Sequence, residues 1–182
     1  HGLVYVVDDE PDVLEIVKTV LAEENFDVSC FENADSLFEA INDRIPDVVI
    51  TDFKMPTKNG LAVLSEVRRL IPDVPVIILT GYITKEILIA SLKEGGFYSA
   101  IEKPFKNINL IQDCLSACRF HEAKKMVKRS LNLLVYQFSD LEKYLISQNQ
   151  HDVAKTIGNE LKFLLKKQRD LTHWKIKPNE PT

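Results

Sequence analysis

Leu3-Val4-Tyr5-Val6-Val7-Asp8-Asp9-Glu10-Pro11 begins with five apolar residues, ends that run in an acidic pair and passes to a proline. The run is short, β-rich and almost continuously apolar, as expected of a parallel strand covered on both faces. Pro11 suits the first position of a helix, where a missing N–H costs nothing. The pattern recurs along the next hundred residues. Phe26 to Phe31, Asp47 to Thr51, Pro75 to Thr80 and Tyr98 to Glu102 read as further strands. Helical spacing appears between them in Val13/Ile16/Val17/Val20/Leu21, Leu37/Phe38/Ile41, Leu61/Leu64/Val67/Leu70 and Ile87/Leu88/Ser91/Leu92. Pro46 and Pro72 stand ahead of strands, and Gly95-Gly96 follows a helix. The spacing therefore predicts an α/β fold, a doubly wound five-stranded parallel sheet.

The chain has 182 residues, 45% of them hydrophobic and 27% charged, with six Gly and eight Pro. This composition excludes collagen-like, low-complexity and wholly disordered readings. No apolar run approaches the roughly 20 residues of a bilayer-spanning helix, and no signal-peptide pattern precedes the first strand. A soluble cytoplasmic protein without membrane association is expected. Cys30, Cys114 and Cys118 lack zinc-type spacing and fit a reducing compartment. His1-Gly2 is expected to be a cloning remnant and is set aside. Residues 1 to 105 hold nine Lys and Arg against nineteen Asp and Glu, whereas residues 106 to 182 hold fourteen against eight. The basic part is a candidate contact for nucleic acid, for an acidic partner or for the acidic half itself.

Doubly wound sheets carry their chemistry beyond the carboxyl ends of the strands. Those ends are Asp8-Asp9, Asp52, Thr80-Gly81 and Lys103-Pro104-Phe105. Brought together, three carboxylates would repel one another unless a cation joined them. All-oxygen donors favour a hard, hydrated ion such as magnesium. A carboxylate beside such an ion, with a lysine and a hydroxyl at hand, is equipped to accept a phosphoryl group.

Asp8-Asp9, the string Asp52-Phe53-Lys54-Met55-Pro56-Thr57-Lys58-Asn59-Gly60, then Thr80 and Lys103-Pro104-Phe105 resemble the receiver domain of two-component response regulators. The resemblance covers residues 3–120 and implies a flavodoxin-like sheet. It also implies that Asp52 is the phosphoacceptor, charged by a histidine kinase or phosphotransfer protein. Asp9, Asp52 and the main-chain carbonyl of Lys54 would bind magnesium, with Asp8 assisting through water. Thr80 and Lys103 would each hold a phosphoryl oxygen, and Pro104 would follow a cis peptide bond. Such a protein is no enzyme beyond its own phosphotransfer and dephosphorylation.

Two positions depart from the family pattern. Ala100 stands where a Tyr or Phe usually couples to the threonine, leaving Tyr98 or Tyr82 as substitutes or switching by backbone and helix shifts alone. Lys54, two residues after the acceptor, leans a long cation over the site and predicts a longer-lived phosphoryl-aspartate.

After Lys106 the pattern is helical. Ile108, Ile111, Leu115 and Cys118 should face inward on the last receiver helix, with Cys114 and Cys118 as core. Val127, Leu131, Leu134, Phe138, Leu141 and Leu145, alternately four and three apart, form one heptad seam. Ser147 to Gln150 reads as a turn, and Val153, Ile157, Leu161, Leu164 and Leu171 as the stripe of a second helix. The predicted extension, 121–172, is an α-helical hairpin that docks on itself, on the receiver or on a second copy as a homodimer. Residues 173–182, with Trp174, read as a tail. Two rivals exist. Residues 149–168 resemble a degenerate Fis-type helix-turn-helix that would bind DNA, with Ala154 four residues before Gly158. Leu161, Phe163 and Leu165 speak against it, because a recognition helix needs polar side chains there, and one continuous helix through Gly158 is preferred. His121-Glu122 faintly resembles a kinase phosphorylation box, which would make the chain a phosphorelay carrier, although an exposed helical histidine is the ordinary reading.

Overall fold

A computed structural model describes residues 2–172. The elements alternate as β1 (Leu3–Val7), α1 (Pro11–Glu23), β2 (Asp27–Phe31), α2 (Ala34–Asp43), β3 (Val48–Asp52), α3 (Gly60–Leu70), β4 (Val76–Thr80), α4 (Lys85–Lys93), β5 (Ser99–Glu102), α5 (Asn107–Ser147) and α6 (His151–Thr172). The strands form one sheet in the order β2-β1-β3-β4-β5, every pair parallel. This is the flavodoxin-like doubly wound order. The starts of the first four helices have a local cause. Pro11 starts α1, and the side chains of Asn33, Asn59 and Thr84 cap α2, α3 and α4 by accepting the N–H of Ser36, Ala62 and Ile87.

The chain divides into two compact units that meet in sequence at Glu122 and Ala123. In the first, every residue of β1, β3 and β4 is buried, so successive side chains feed two cores. Val4, Val6, Ile50, Ile77 and Leu79 pack with Val17 and Leu21 of α1 and with Leu110 and Cys114 of α5. Tyr5, Val7, Val49 and Ile78 pack with Leu37 of α2 and with Val63, Leu64 and Val67 of α3. Cys114 and Cys118 are core residues, as expected, and burial pushes the Cys114 thiol up.

Some stripes expected to be buried turn outward. Ile16, Leu88, Leu92 and Ile108 are exposed; Ser91 of α4 and Cys118 of α5 are buried as expected, and Leu110, Cys114 and Ala117 complete the inner face of α5. Helical spacing names a stripe, but the neighbouring element decides which edge of it is covered.

In the second unit α5 ends at Ser147, Asn149 takes a left-handed φ of 59° and α6 begins at His151, which places the turn where the sequence predicts it. The predicted single seam splits in two. Leu131 and Phe138 are half-buried and Leu145 is buried, with Val135 and Glu142 on the same side, whereas Val127, Leu134 and Leu141 are exposed. On α6, Ala154 is buried and Ile157, Gly158, Leu161, Leu164 and Leu171 are half-buried, while Val153 is exposed. A Cβ on Gly158 would stand 2.5 Å from Glu142 Oε1, the end of a side chain that α5 lays against it. Gln168 Nε2 donates to Asn132 Oδ1 at 2.6 Å further along the pair. Gly158 therefore sits inside one helix, and the helix-turn-helix alternative lacks its turn. Among the described residues no helix is long and apolar enough to cross a membrane. Trp174 and the expected tail lie outside the described residues.

Candidate functional site

Asp8 follows β1, Asp52 is the last residue of β3, Thr80 the last of β4, and Lys103 follows β5. Parallel pairing places Asp52 beside Leu79 and Thr80 beside Glu102, so these ends share one rim of the sheet. Lys103 Nζ lies 2.7 Å from Asp8 Oδ2 and 2.6 Å from Asp52 Oδ1, with Glu10 Oε1 at 3.6 Å. Asp8 is fully buried and Asp52 nearly so, whereas Asp9 and Lys54 are exposed. Burial raises the Asp8 carboxyl above the usual carboxylate range, against the hydrogen bonds from Lys103 and the Glu10 N–H. Burial also works against the Lys103 charge, but hydrogen bonds to Asp52 and Asp8 outweigh it and hold the ammonium above its ordinary value.

The loop after β3 folds back onto Asp52. Asp52 Oδ2 accepts the Lys54 N–H, and the Gly60 N–H donates to Phe53 O at 3.0 Å. A Cβ on Gly60 would lie 2.6 Å from Asp52 O, a distance only glycine tolerates. Lys58 pairs with Asp35 of α2 and lies over the Phe38 ring, 5.2 Å from its centroid, tethering the same loop. Thr80 Oγ1 donates to Tyr82 O at 3.0 Å and accepts the Tyr82 N–H at 3.3 Å, so the hydroxyl is held by its own turn. The Lys103–Pro104 peptide bond is cis.

At position 100 the alanine offers no ring. Tyr98 stacks on Phe120 of α5 with ring centroids 5.6 Å apart, and Tyr82 is exposed, joined to Thr80 through its main chain.

Two features of this region have no role in the sequence reading. Gly60 was part of the string but had no role of its own. Arg68, at the end of α3, donates through Nε and Nη2 to Gly96 O at 3.3 and 3.0 Å and through Nη1 to Val74 O at 2.5 Å. Burial pushes its guanidinium down to about 10, which leaves it charged at neutral pH. It clamps the turn in which Gly95 and Gly96 have φ of 98° and 80°, and those two glycines were the only sequence signal. His121 is buried, with Nδ1 3.4 Å from Asp47 Oδ1. This corrects the expectation of an exposed histidine, and a buried imidazole is a poor phosphoryl carrier.

Among the described residues no three Asp, Glu, His or Cys side chains are gathered closely enough to cage a metal by themselves. The donor set nevertheless fits magnesium. Asp8, Asp9, Glu10 and Asp52 outnumber Lys103 at this rim, all are oxygen donors, and magnesium needs only one or two carboxylates while keeping several waters.

The comparisons with known proteins agree with this geometry. The family model described as the response regulator receiver domain matches residues 4–114. The hydrogenase transcriptional regulatory protein HoxA of Bradyrhizobium diazoefficiens is 34% identical over 125 residues, 69% of this chain and 26% of HoxA. The DNA-binding transcriptional regulator NtrC of Escherichia coli is 33% identical over 105 residues, 58% of this chain and 22% of NtrC. The chain thus spans about a quarter of the length of these curated relatives. The crystal structure of the receiver domain of NtrX from Brucella abortus superposes with a TM-score of 0.59 at 35% identity, covering 64% of this chain and 98% of that one. Sheet order, strand-end chemistry and these similarities converge, and the chain belongs to the response regulator receiver domain family.

Proposed function

We propose that this chain is the phospho-accepting part of a two-component phosphorelay in the cytoplasm, and that Asp52 is the acceptor. The observation that carries the reading is the Lys103 ammonium held between Asp8 and Asp52 at 2.7 and 2.6 Å. An Asp52 carboxylate oxygen attacks phosphorus in line, and the bond from phosphorus to the donor's imidazole nitrogen breaks. The product is an acyl phosphate on Asp52 and a neutral histidine on the kinase or phosphotransfer protein. Lys103 turns from Asp52 to a phosphoryl oxygen, and the Thr80 hydroxyl, released from Tyr82 O, donates to another. Asp9, Asp52 and the main-chain carbonyl of Lys54 would hold magnesium, with Asp8 acting through water. When bound, the ion supplies positive charge against the equatorial phosphoryl oxygens.

Lacking a ring at position 100, the domain passes this change on through backbone and helix shifts. The receiver spans 3–120, and the helices of 121–172 deliver the output by protein–protein interaction or dimerisation. A DNA contact is not favoured, since α6 is continuous through Gly158. Incubation with acetyl phosphate and magnesium is expected to add one phosphoryl group, located on Asp52 by peptide mass spectrometry and lost in Asp52→Asn. Labelling of Asp52→Asn to the same extent would overturn the assignment. The lysine at position 54 is expected to slow hydrolysis of that acyl phosphate, so a Lys54→Ala protein should lose its label faster, while complete loss from the wild type within seconds would refute this role.

A further inference from the structure

Residues 53–59 join β3 to α3 and carry the main-chain groups of Lys54, whose N–H is held by Asp52 Oδ2. Both ends of this loop are fixed by backbone hydrogen bonds. The Phe53 N–H donates to Leu79 O at 2.8 Å, and the Gly60 N–H returns to Phe53 O at 3.0 Å. Between these anchors Lys54, Pro56 and Thr57 are exposed. Lys58 is half-buried and reaches α2, where its ammonium pairs with Asp35 and stands 5.2 Å from the centroid of the Phe38 ring. Asp35 and Phe38 are three residues apart and so share one side of that helix. The helix is a firm anchor: the Asn33 side chain caps it, and Ala34, Leu37 and Ile41 are buried. Asp35 lies in its first turn, where the helix dipole favours a negative charge. Lys58 also faces α3. The Arg69 hydrogen bond, with the charges of Arg69 and Lys58 behind it, holds the Glu66 carboxyl below the usual range.

A partly exposed ion pair contributes little to stability, because water screens it and both side chains must be ordered to make it. What such a pair can set is position. A loop held only at its ends would carry the Lys54 main chain with it as it moved, and a group displaced by about an ångström loses much of its effect on a reaction. We propose that Lys58 is a positioning residue for phosphoryl transfer: tied to Asp35 and Phe38 of α2, it holds the Lys54 main chain in register with Asp52 and so sets the magnesium concentration at which Asp52 is labelled. This role rests on Asp52 being the acceptor and on the Lys54 carbonyl being a magnesium ligand. The sign of the effect separates position from charge. A lysine close to the site repels a metal cation, so removing its charge would by itself tighten magnesium binding. Releasing the loop weakens it.

The experiment compares Lys58→Met, which keeps the stem and loses the charge, with the wild type as the full chain. Amide hydrogen exchange of residues 53–59 in magnesium-free protein is expected to quicken, and calorimetric titration with magnesium alone is expected to show affinity weakened several-fold. Acetyl phosphate labelling should fall at limiting magnesium and recover as the ion is raised. Asp35→Asn should act in the same direction through the other partner. The double variant should be no worse than Lys58→Met, whereas two charges acting independently would cancel in it. Lys58→Arg, which can still pair with Asp35 and lie over the Phe38 ring, should restore the wild-type affinity. Unfolding midpoints of all these proteins should stay close to that of the wild type. Tighter magnesium binding in Lys58→Met, unchanged exchange in the loop, or a double variant returned to wild-type affinity would each overturn the proposal. A midpoint that falls in step with the affinity would reduce Lys58 to a stabilising contact and reject it too. Labelling that is lost in Asp52→Asn, with magnesium affinity unmoved in the Lys58 variants, sinks the positioning role alone. Altered exchange and affinity without any labelling at Asp52 sink the assignment of the acceptor.

Discussion

The two units of this chain are built from the same amino-acid types but spend them differently. In the receiver unit the three central strands are buried along their whole length, and their side chains feed cores on both faces of the sheet. In the second unit, among the described apolar residues, only Leu145 and Ala154 reach full burial, and much of the apolar surface of α5 faces outward. A sheet between helix layers gives each apolar residue neighbours on every side. Two helices give each other one stripe and leave their remaining faces open. The first unit therefore buries apolar residues on both faces of its sheet, whereas the second leaves much of its apolar surface open.

That contrast is testable first by truncating side chains. Ile50→Ala and Leu64→Ala, both fully buried, are expected to destabilise the receiver by about 2–5 kcal/mol in urea denaturation. Leu131→Ala, half-buried on α5, is expected to cost only about 1 kcal/mol, in line with partial burial. Equal losses would erase the distinction between the units.

A glycine-to-alanine pair sharpens the comparison, because the same methyl group meets different neighbours. At Gly60 it would meet the main-chain oxygen of Asp52, which cannot step aside. Gly60→Ala is expected to cost about 1–3 kcal/mol and to weaken acetyl phosphate labelling at the same time. Removal of a helix cap is the next smaller effect: Asn59→Ala is expected to cost about 1 kcal/mol, read by thermal unfolding. At Gly158 the methyl would meet only the end of the Glu142 side chain, which can swing away. Gly158→Ala is expected to leave stability within about 1 kcal/mol of the wild type, since the gain in helix propensity offsets the displaced carboxylate. A large loss there would mean that the helices of the hairpin are packed as tightly as the receiver core.

Much of this molecule was legible before folding was considered. The alternation of apolar runs and helical stripes determined a parallel doubly wound sheet, and the residues at the ends of the runs, Asp8, Asp52, Thr80 and Lys103, marked the rim that holds the candidate site. Local signals such as Pro11, Asn59 and Gly95-Gly96 sufficed because capping and turn preferences act over a few residues. Tertiary structure alone decided the rest. Lys103 bridges Asp8 and Asp52 only because β5 and β1 end on the same rim, a juxtaposition across 95 residues of sequence. His121 lost its exposed position because Asp47, which leads into β3, lies against it. The single heptad seam of α5 became two faces because periodicity fixes which residues share a side of a helix, while the direction from which α6 approaches fixes which of them it covers.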